Sequence, residues 1–119
     1  MEDRLPRVLL RIEGLAVLLG ATVIYVHADY SLLAYVLLFL VPDISFSGYL
    51  IGRRIGAIVY NAVHTYLVPV GVGVFGVATD AELAVQLALI WLAHIGVDRF
   101  LGYGLKYRTA FGDTHLDRV

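Results

Sequence analysis

The chain has 119 residues, 60% of them hydrophobic and 16% charged, with a formal net charge of −1 and no cysteine. A soluble domain of this size could not bury so much apolar surface, so the mean hydropathy of +0.80 favours an integral membrane protein. The composition provides no basic face for nucleic acid, and it excludes disulfides and thiolate metal sites.

Four apolar segments follow one another along the chain, each long enough to cross a membrane as a helix. They run from about Val8 to Val26, Tyr30 to Gly52, Ile55 to Val77 and Ala81 to Leu105. A crossing needs about 20 mostly apolar residues, because the hydrocarbon core is about 30 Å thick. The predicted fold is therefore an all-α bundle of four transmembrane helices, with residues 1–119 as a single domain.

Short links join the four segments, so sequential helices are expected to be antiparallel neighbours. Pro42 lacks a backbone donor and is predicted to kink the second helix, whereas Asp80 is predicted to cap the fourth. A polar tail at about 107–119 is expected to lie along the membrane surface.

The basic residues predict the orientation of the bundle. The links after the first and third segments contain no Lys or Arg. All nine such residues can therefore be placed on one side of the membrane: Arg4, Arg7, Arg11, Arg53, Arg54, Arg99, Lys106, Arg108 and Arg118. The positive-inside rule then predicts that the N-terminus and the C-terminus are both cytoplasmic.

Polar residues in all four segments lie at similar depths, about 9–18 Å from the cytoplasmic boundary at about 1.5 Å per residue. They are Glu13, Asp43, Asn61, His64, His94 and Asp98. Ionisable residues inside a bilayer are costly and usually face the protein interior. We therefore expect a buried polar cluster on the bundle axis, in the cytoplasmic half of the membrane.

Two imidazoles and two carboxylates that converge in a pocket of low dielectric form a ligand set for Zn²⁺ or Fe²⁺. We predict His64, His94 and Asp98 as metal ligands, with Asp43 as the fourth ligand or as a general base. Such a metal would activate water to hydrolyse a small amphiphile or a lipid head group entering from the cytoplasmic leaflet. No established zinc motif such as HExxH is present, so the prediction depends on the shared depth.

Other side chains have supporting roles in this hypothesis. Glu13 and Asn61 are expected to orient the imidazoles from behind the ligands. Tyr60 lies four residues before His64, on the same helix face, and can join it. Arg99 is assigned to the binding of a phosphate or carboxylate of the substrate.

Two non-enzymatic interpretations stay open. Carboxylates and histidines at one depth could relay protons in a proton-coupled carrier, although the outer half offers no continuous polar line. Alternatively, the cluster could be a packing network in a structural protein that holds a protein partner at its basic inner face. Gly48, Gly52 and Gly56 could form a tight turn or a homodimer face. The lipid bilayer is the partner common to all interpretations.

Several stretches carry a family resemblance: RIEGLAVL (11–18), PDISFSGYLIG (42–52), GAIVYNAVHTYLVP (56–69), IWLAHIGVDRFLGYGLKY (90–107) and FGDTHL (111–116). They resemble a family of small, mostly bacterial membrane proteins described as domain of unknown function 4260. The resemblance implies a four-span protein of the bacterial or archaeal plasma membrane, without indicating an activity, substrate or cofactor. It singles out Glu13, Asp43, Asn61, His64, His94, Asp98, Arg99, Lys106 and His115 as signature positions.

The tail contributes one candidate and one departure from the family. Thr114 and His115 are expected either to fold back as a lid under the cluster or to anchor the tail. The family commonly has Gly after the THL motif, whereas this chain has Asp117, which weakens the expectation of a tight turn there.

Overall fold

The computed structural model describes residues 5–43, 50 and 52–102, and the regular elements of these residues are helices. They are α1 (Leu5–His27), α2 (Leu32–Leu38), α3 (Arg53–His64), α4 (Leu67–Thr79) and α5 (Glu82–Leu101). Among the described residues, three stretches are long and apolar enough to cross a membrane: Leu5–His27, Arg53–Thr79 and Glu82–Leu101. The all-helical class is thereby confirmed, and three of the four predicted segments are long and apolar enough to span a membrane.

The second segment forms a shorter helix than predicted. Ser31 caps α2, since its hydroxyl accepts a hydrogen bond from the backbone N–H of Ala34 at 3.1 Å. The α-helix ends at Leu38 and a 3₁₀ turn follows at 41–43, so the regular helix stops before Pro42 instead of bending at it. Residues 44–49, 51 and 103–119 lie outside the described part of the chain. The second crossing, the polar tail and the role of Gly48 therefore stay predictions.

The third segment is broken rather than continuous, which corrects the prediction of one helix from Ile55 to Val77. Between α3 and α4, Thr65 adopts an extended conformation with φ −91° and ψ 143°. The cause is Pro69, the third residue of α4. Its ring would clash with the carbonyl of Thr65 in a continuous helix, and it cannot donate a hydrogen bond. His64 consequently becomes the last residue of α3.

Helix α5 is the centre of the bundle, and both α1 and α4 pack against it. Helices α1 and α5 touch backbone to backbone at Gly14 and Gly96. A Cβ atom added at Gly96 would lie only 2.6 Å from the carbonyl oxygen of Gly14. Small residues at such a crossing allow close packing of membrane helices. The contact fixes which face of each helix points inward.

The apolar core lies on the same α1–α5 interface, further along both helices. It consists of Ala21, Tyr25, Leu89, Ile90 and Ala93, and aromatic side chains of α2 cover it from one side. Since most other apolar side chains of α1 are exposed, the outer surface of the bundle is suited to lipid rather than water.

The helix ends differ from the prediction at two points. Asp80 does not cap α5: it ends α4 in the left-handed conformation, with φ 56°, and the cap position of α5 is Ala81. The link between α4 and α5 is so short that Asp80 is the residue that terminates α4, and it therefore does not take the cap position of α5. Helix α5 ends at Leu101 instead of Leu105, because Gly102 takes a left-handed conformation with φ 99°.

Basic side chains meet the C-terminal end of α5. Arg11 donates from Nε to the carbonyl of Phe100 at 2.8 Å, and the guanidinium of Arg7 lies beside Gly102. The start of α1 and the end of α5 are therefore at the same end of the bundle. Cations at a helix C-terminus also complement the negative end of its dipole.

Candidate metal centre

Four titratable side chains from three parts of the chain converge next to the break between α3 and α4. Asp43 ends the 3₁₀ turn after α2, His64 ends α3, and His94 and Asp98 lie four residues apart on α5. One ligand atom from each of the four residues lies within 4.8 Å of those of the other three. The side chains proposed from depth alone are thus neighbours in space.

Five of the six distances inside this group lie between 3.2 and 3.7 Å, and the sixth, between the two carboxylates, is within 4.8 Å. The Nε2 atoms of His64 and His94 are 3.3 Å apart. Oδ2 of Asp98 lies 3.4 Å from the first nitrogen and 3.3 Å from the second. Oδ1 of Asp43 lies 3.7 Å and 3.2 Å from the same two atoms. A tetrahedral metal with bonds of about 2.0–2.1 Å places its ligand atoms about 3.3–3.4 Å apart.

The His64 ring is oriented from behind by its own helix. Its Nδ1 lies 3.0 Å from the carbonyl oxygen of Tyr60. A carbonyl can only accept, so Nδ1 carries the proton and the Nε2 lone pair faces the other three ligand atoms. The Tyr60 ring also stacks on the imidazole, with centroids 3.9 Å apart and planes at 8°. This combination of ring packing and a backbone acceptor is typical of metal-binding histidines.

The His94 ring is held by aromatic packing. The Phe39 ring meets it edge-on, with centroids 5.3 Å apart. Within the described residues, Nδ1 of His94 is buried without a hydrogen bond of ordinary geometry. Its Nε2 faces the shared centre, 3.2 Å from Oδ1 of Asp43 and 3.3 Å from Oδ2 of Asp98.

The two histidines and the two aspartates differ in burial. The imidazole side chains are 3% exposed, whereas the Asp98 side chain is 20% and the Asp43 side chain 38% exposed. The group is thus closed on the histidine side and opens beside Asp43. A substrate or a water molecule would reach the centre from that side.

Comparison with known proteins agrees with the sequence resemblance. The family model described as domain of unknown function (DUF4260) matches residues 7–119. The chain belongs to this family. No curated protein and no solved structure matches the chain. The match covers every residue of the candidate centre, but the family description indicates no activity.

Arg99, which is predicted to bind a phosphate or carboxylate of the substrate, lies beside the break between α3 and α4. It is buried, and its Nη2 donates to the backbone carbonyl of His64 at 3.0 Å. Its guanidinium carbon also lies 5.5 Å from the centroid of the Tyr66 ring. These contacts direct Arg99 toward the helix break, on the outside of the ligand set.

Trp91 is a neighbour of the centre that the sequence reasoning missed. Its indole N–H donates to the carbonyl of Val63 at 2.5 Å. Trp91 and Arg99 of α5 together satisfy two carbonyls at the C-terminal end of α3, which no longer have helical partners. The signal that could have found them is the placement of Pro69, which frees carbonyls that α5 must then satisfy.

The remaining predicted site residues are more dispersed. Glu13 is exposed on α1 and is not a member of the four-residue group, and Asn61 is half-buried on α3. Lys106 and His115 lie outside the described residues, so the proposed lid stays a prediction.

A second polar cluster lies toward the opposite end of the bundle and was also missed. Tyr25 is fully buried. Its hydroxyl donates to the carbonyl of Ser31 and accepts from Nε2 of Gln86 at 3.1 Å. The Thr22 and Tyr35 hydroxyls are 2.8 Å apart beside it. Gln86, an amide within an apolar helix, was the available signal.

Proposed function

We propose that this protein is an integral membrane protein that binds one divalent metal ion at His64, His94 and Asp98, with Asp43 beside the ion as general base, and hydrolyses a small amphiphile or a lipid head group. The main support is that five separations between the four ligand atoms lie between 3.2 and 3.7 Å. Three of them, among the two Nε2 atoms and Oδ2 of Asp98, lie between 3.3 and 3.4 Å, which is the spacing expected of ligand atoms around a tetrahedral metal. With four crossings and cytoplasmic termini, the centre would lie in the cytoplasmic half of the bilayer.

The mixed donor set favours Zn²⁺ or Fe²⁺ over Mg²⁺ or Ca²⁺. Imidazole nitrogen suits the first two ions, whereas Mg²⁺ and Ca²⁺ prefer sites built from oxygen alone. His64 offers a neutral imidazole with a fixed tautomer, because its Nδ1 proton is bonded to the Tyr60 carbonyl. Such a ligand needs little reorganisation when the metal binds.

The difference in burial assigns separate roles to the two aspartates. His64, His94 and Asp98 would serve as the three enclosed ligands, which leaves a position open beside the more exposed Asp43. A divalent ion there supplies Lewis acidity toward water and toward an ester or phosphoester oxygen. Asp43 takes one proton from the attacking water and returns it to the leaving oxygen. One water is consumed, and Asp43 ends in its starting state.

The test is metal content, measured by mass spectrometry on protein purified in detergent without added chelator. One equivalent of zinc or iron is expected in the native chain, and none in His64→Ala or His94→Ala. His27→Ala is the matched control, because His27 is exposed at the far end of α1. Equal metal in all variants, or a native chain free of metal with unchanged folding of the histidine variants, would contradict the proposal.

A metal-free packing network is the second candidate, favoured by one specific observation. The Nε2 atoms of the two histidines are within hydrogen-bond distance of each other. Hydrogen bonds among the four side chains could therefore satisfy them without a metal ion. In that case the histidine variants should lose stability without any change in metal content. A proton-coupled carrier has less support, because the apolar residues Leu89, Ile90 and Ala93 lie between the centre and Gln86.

A further inference from the structure

A cavity of about 260 Å³ lies between α2, α4 and α5, next to the candidate centre. Among the described residues, seven line it and none of the seven is charged; they include Pro42, Val72, Leu87 and Trp91. Pockets for small ligands usually measure about 300–1,000 Å³ and are mostly apolar with a few polar groups at one place. In this case the polar groups are those of the neighbouring centre.

The chain itself connects the cavity to the centre. Pro42 lines the cavity, and the next residue, Asp43, borders the open side of the ligand set. On α5, Leu87, Trp91, His94 and Asp98 follow at intervals of four, three and four residues, so they share one helix face. The same face thus lines the cavity first and then supplies two metal ligands.

The cavity and the centre are also ordered along the membrane normal. Counted from Leu101 at about 1.5 Å per residue, Asp98 lies about 5 Å and His94 about 10 Å from the end of α5. Trp91 and Leu87 lie about 15 and 21 Å from it. The cavity therefore lies deeper than the centre when both are measured from this end of α5, and both fit within a hydrocarbon core about 30 Å thick. A membrane amphiphile has this same order, with its polar group outside and its chain inside.

We infer that the cavity receives a hydrocarbon chain of the amphiphile whose polar group lies at the metal centre. The inference builds on the proposed function and names its substrate class: a single acyl or alkyl chain joined to a polar group that coordinates metal. The volume suits one aliphatic chain, and a second chain of a diacyl lipid would stay in the surrounding bilayer.

Trp91 provides a direct test, because it is the single tryptophan of the chain and it lines the cavity. The probe is an eight-carbon hydroxamate with a terminal bromine, which quenches tryptophan fluorescence on contact, added to protein in nanodiscs of unbrominated phosphatidylcholine. A chain bound in the cavity should quench Trp91 with a saturating dependence on the mole fraction of probe.

Two valines of α4 give a matched pair of variants. Val72 lines the cavity, and Val72→Phe should fill it and abolish the saturable quenching. Val74 is 63% exposed on the outer surface, and Val74→Phe should leave the quenching unchanged. If Val72→Phe does not fold, Val41→Phe fills the same cavity from another side.

The inference would be overturned if quenching rises linearly without saturation, or if Val72→Phe and Val74→Phe affect it equally. Either result is what a probe dissolved in the bulk lipid would produce. Bromine-terminated octanol, which has no chelating group, is tested in parallel, and metal content is measured on the same samples. Linear quenching with metal present overturns chain binding and leaves the metal centre intact. A third outcome is that the brominated octanol quenches Trp91 saturably, that only Val72→Phe abolishes this quenching, and that the protein contains no metal. This result supports chain binding in the cavity and contradicts the proposed metal chemistry.

Discussion

Arg99 donates from Nη2 to the backbone carbonyl of His64 at 3.0 Å, so the helix that supplies His94 and Asp98 also holds the end of the helix that supplies His64. Trp91 makes the equivalent bond to Val63, one residue earlier. The ligands of the candidate centre are thereby fixed relative to one another across the break between α3 and α4. Non-helical backbone at membrane depth is tolerated where protein groups satisfy it, as these two side chains do.

Arg99→Gln tests whether Arg99 positions His64. The variant should lower the free energy of unfolding by about 1–3 kcal/mol, because it leaves a buried carbonyl without its charged donor. It should also weaken metal binding by about 10–100-fold, as loss of an outer partner of a metal ligand usually does. Denaturation in detergent and competition with a chelator measure the two effects.

Arg54→Gln is the control for this change, because Arg54 is an exposed arginine on α3. It should alter neither quantity. Loss of stability in Arg99→Gln with native metal affinity would show that Arg99 supports the helix break without positioning the ligand.

The two aspartates should respond differently to removal of their charge. Asp98→Asn is expected to abolish stoichiometric metal, because the 20% exposed Asp98 is an enclosed ligand. Asp43→Asn is expected to retain the metal, because the more exposed Asp43 acts on water at the open side. Metal content and chelator competition distinguish the two. Equal loss in both variants would make Asp43 a fourth ligand and the site a closed, structural one.

Gly96→Ala should disrupt the crossing of α1 and α5. The new Cβ would lie 2.6 Å from the carbonyl oxygen of Gly14 and 2.8 Å from the backbone nitrogen of Leu18, so the helices must separate. Overpacking of this kind costs about 1–3 kcal/mol, which a lower midpoint of thermal denaturation in detergent would reveal.

Gly20→Ala is the matched control for the crossing, because no heavy atom from another part of the described chain lies within 4 Å of a Cβ atom placed there. It should be neutral or stabilising by up to about 1 kcal/mol, since alanine restricts the unfolded chain more than glycine does. A similar midpoint for both variants would contradict the tight crossing.

Tyr25→Phe tests the second polar cluster. It removes the hydroxyl that bridges Ser31 and Gln86, and it should cost about 0.6–1.7 kcal/mol, the range of hydrogen bonds between membrane helices. Gln86→Leu should be less harmful in the Tyr25→Phe background than alone, because the bond partner is already gone. Metal content should not change in either variant, since Gln86 is about 12 Å along α5 from His94.

Tyr30→Phe serves as the control for this cluster. Its ring lies 5.4 Å from that of Tyr25, but its hydroxyl makes no hydrogen bond among the described residues. Additive effects of Tyr25→Phe and Gln86→Leu would show that the two side chains are not coupled.

The sequence by itself determined the helical class and the position of α1 to within three residues at its start, and it predicted a common depth for the polar residues. Depth follows from counting along a helix, so His64, His94 and Asp98 could be placed in one layer before any contact was known. The meeting of these side chains with Asp43 agrees with that count.

Only the tertiary structure decided which way each helix is turned about its axis. Gly14 faces Gly96 at the helix crossing, so Glu13, about 100° around the helix, is turned away from the centre and exposed. On α5, the rotation of the helix about its axis turns Asp98 toward the histidines, and it lets Arg99 reach the carbonyl of His64. Residue counting and hydropathy predict how far along its helix a residue lies. Backbone packing between helices fixes how each helix is rotated about its axis, and that rotation determines which polar side chains meet.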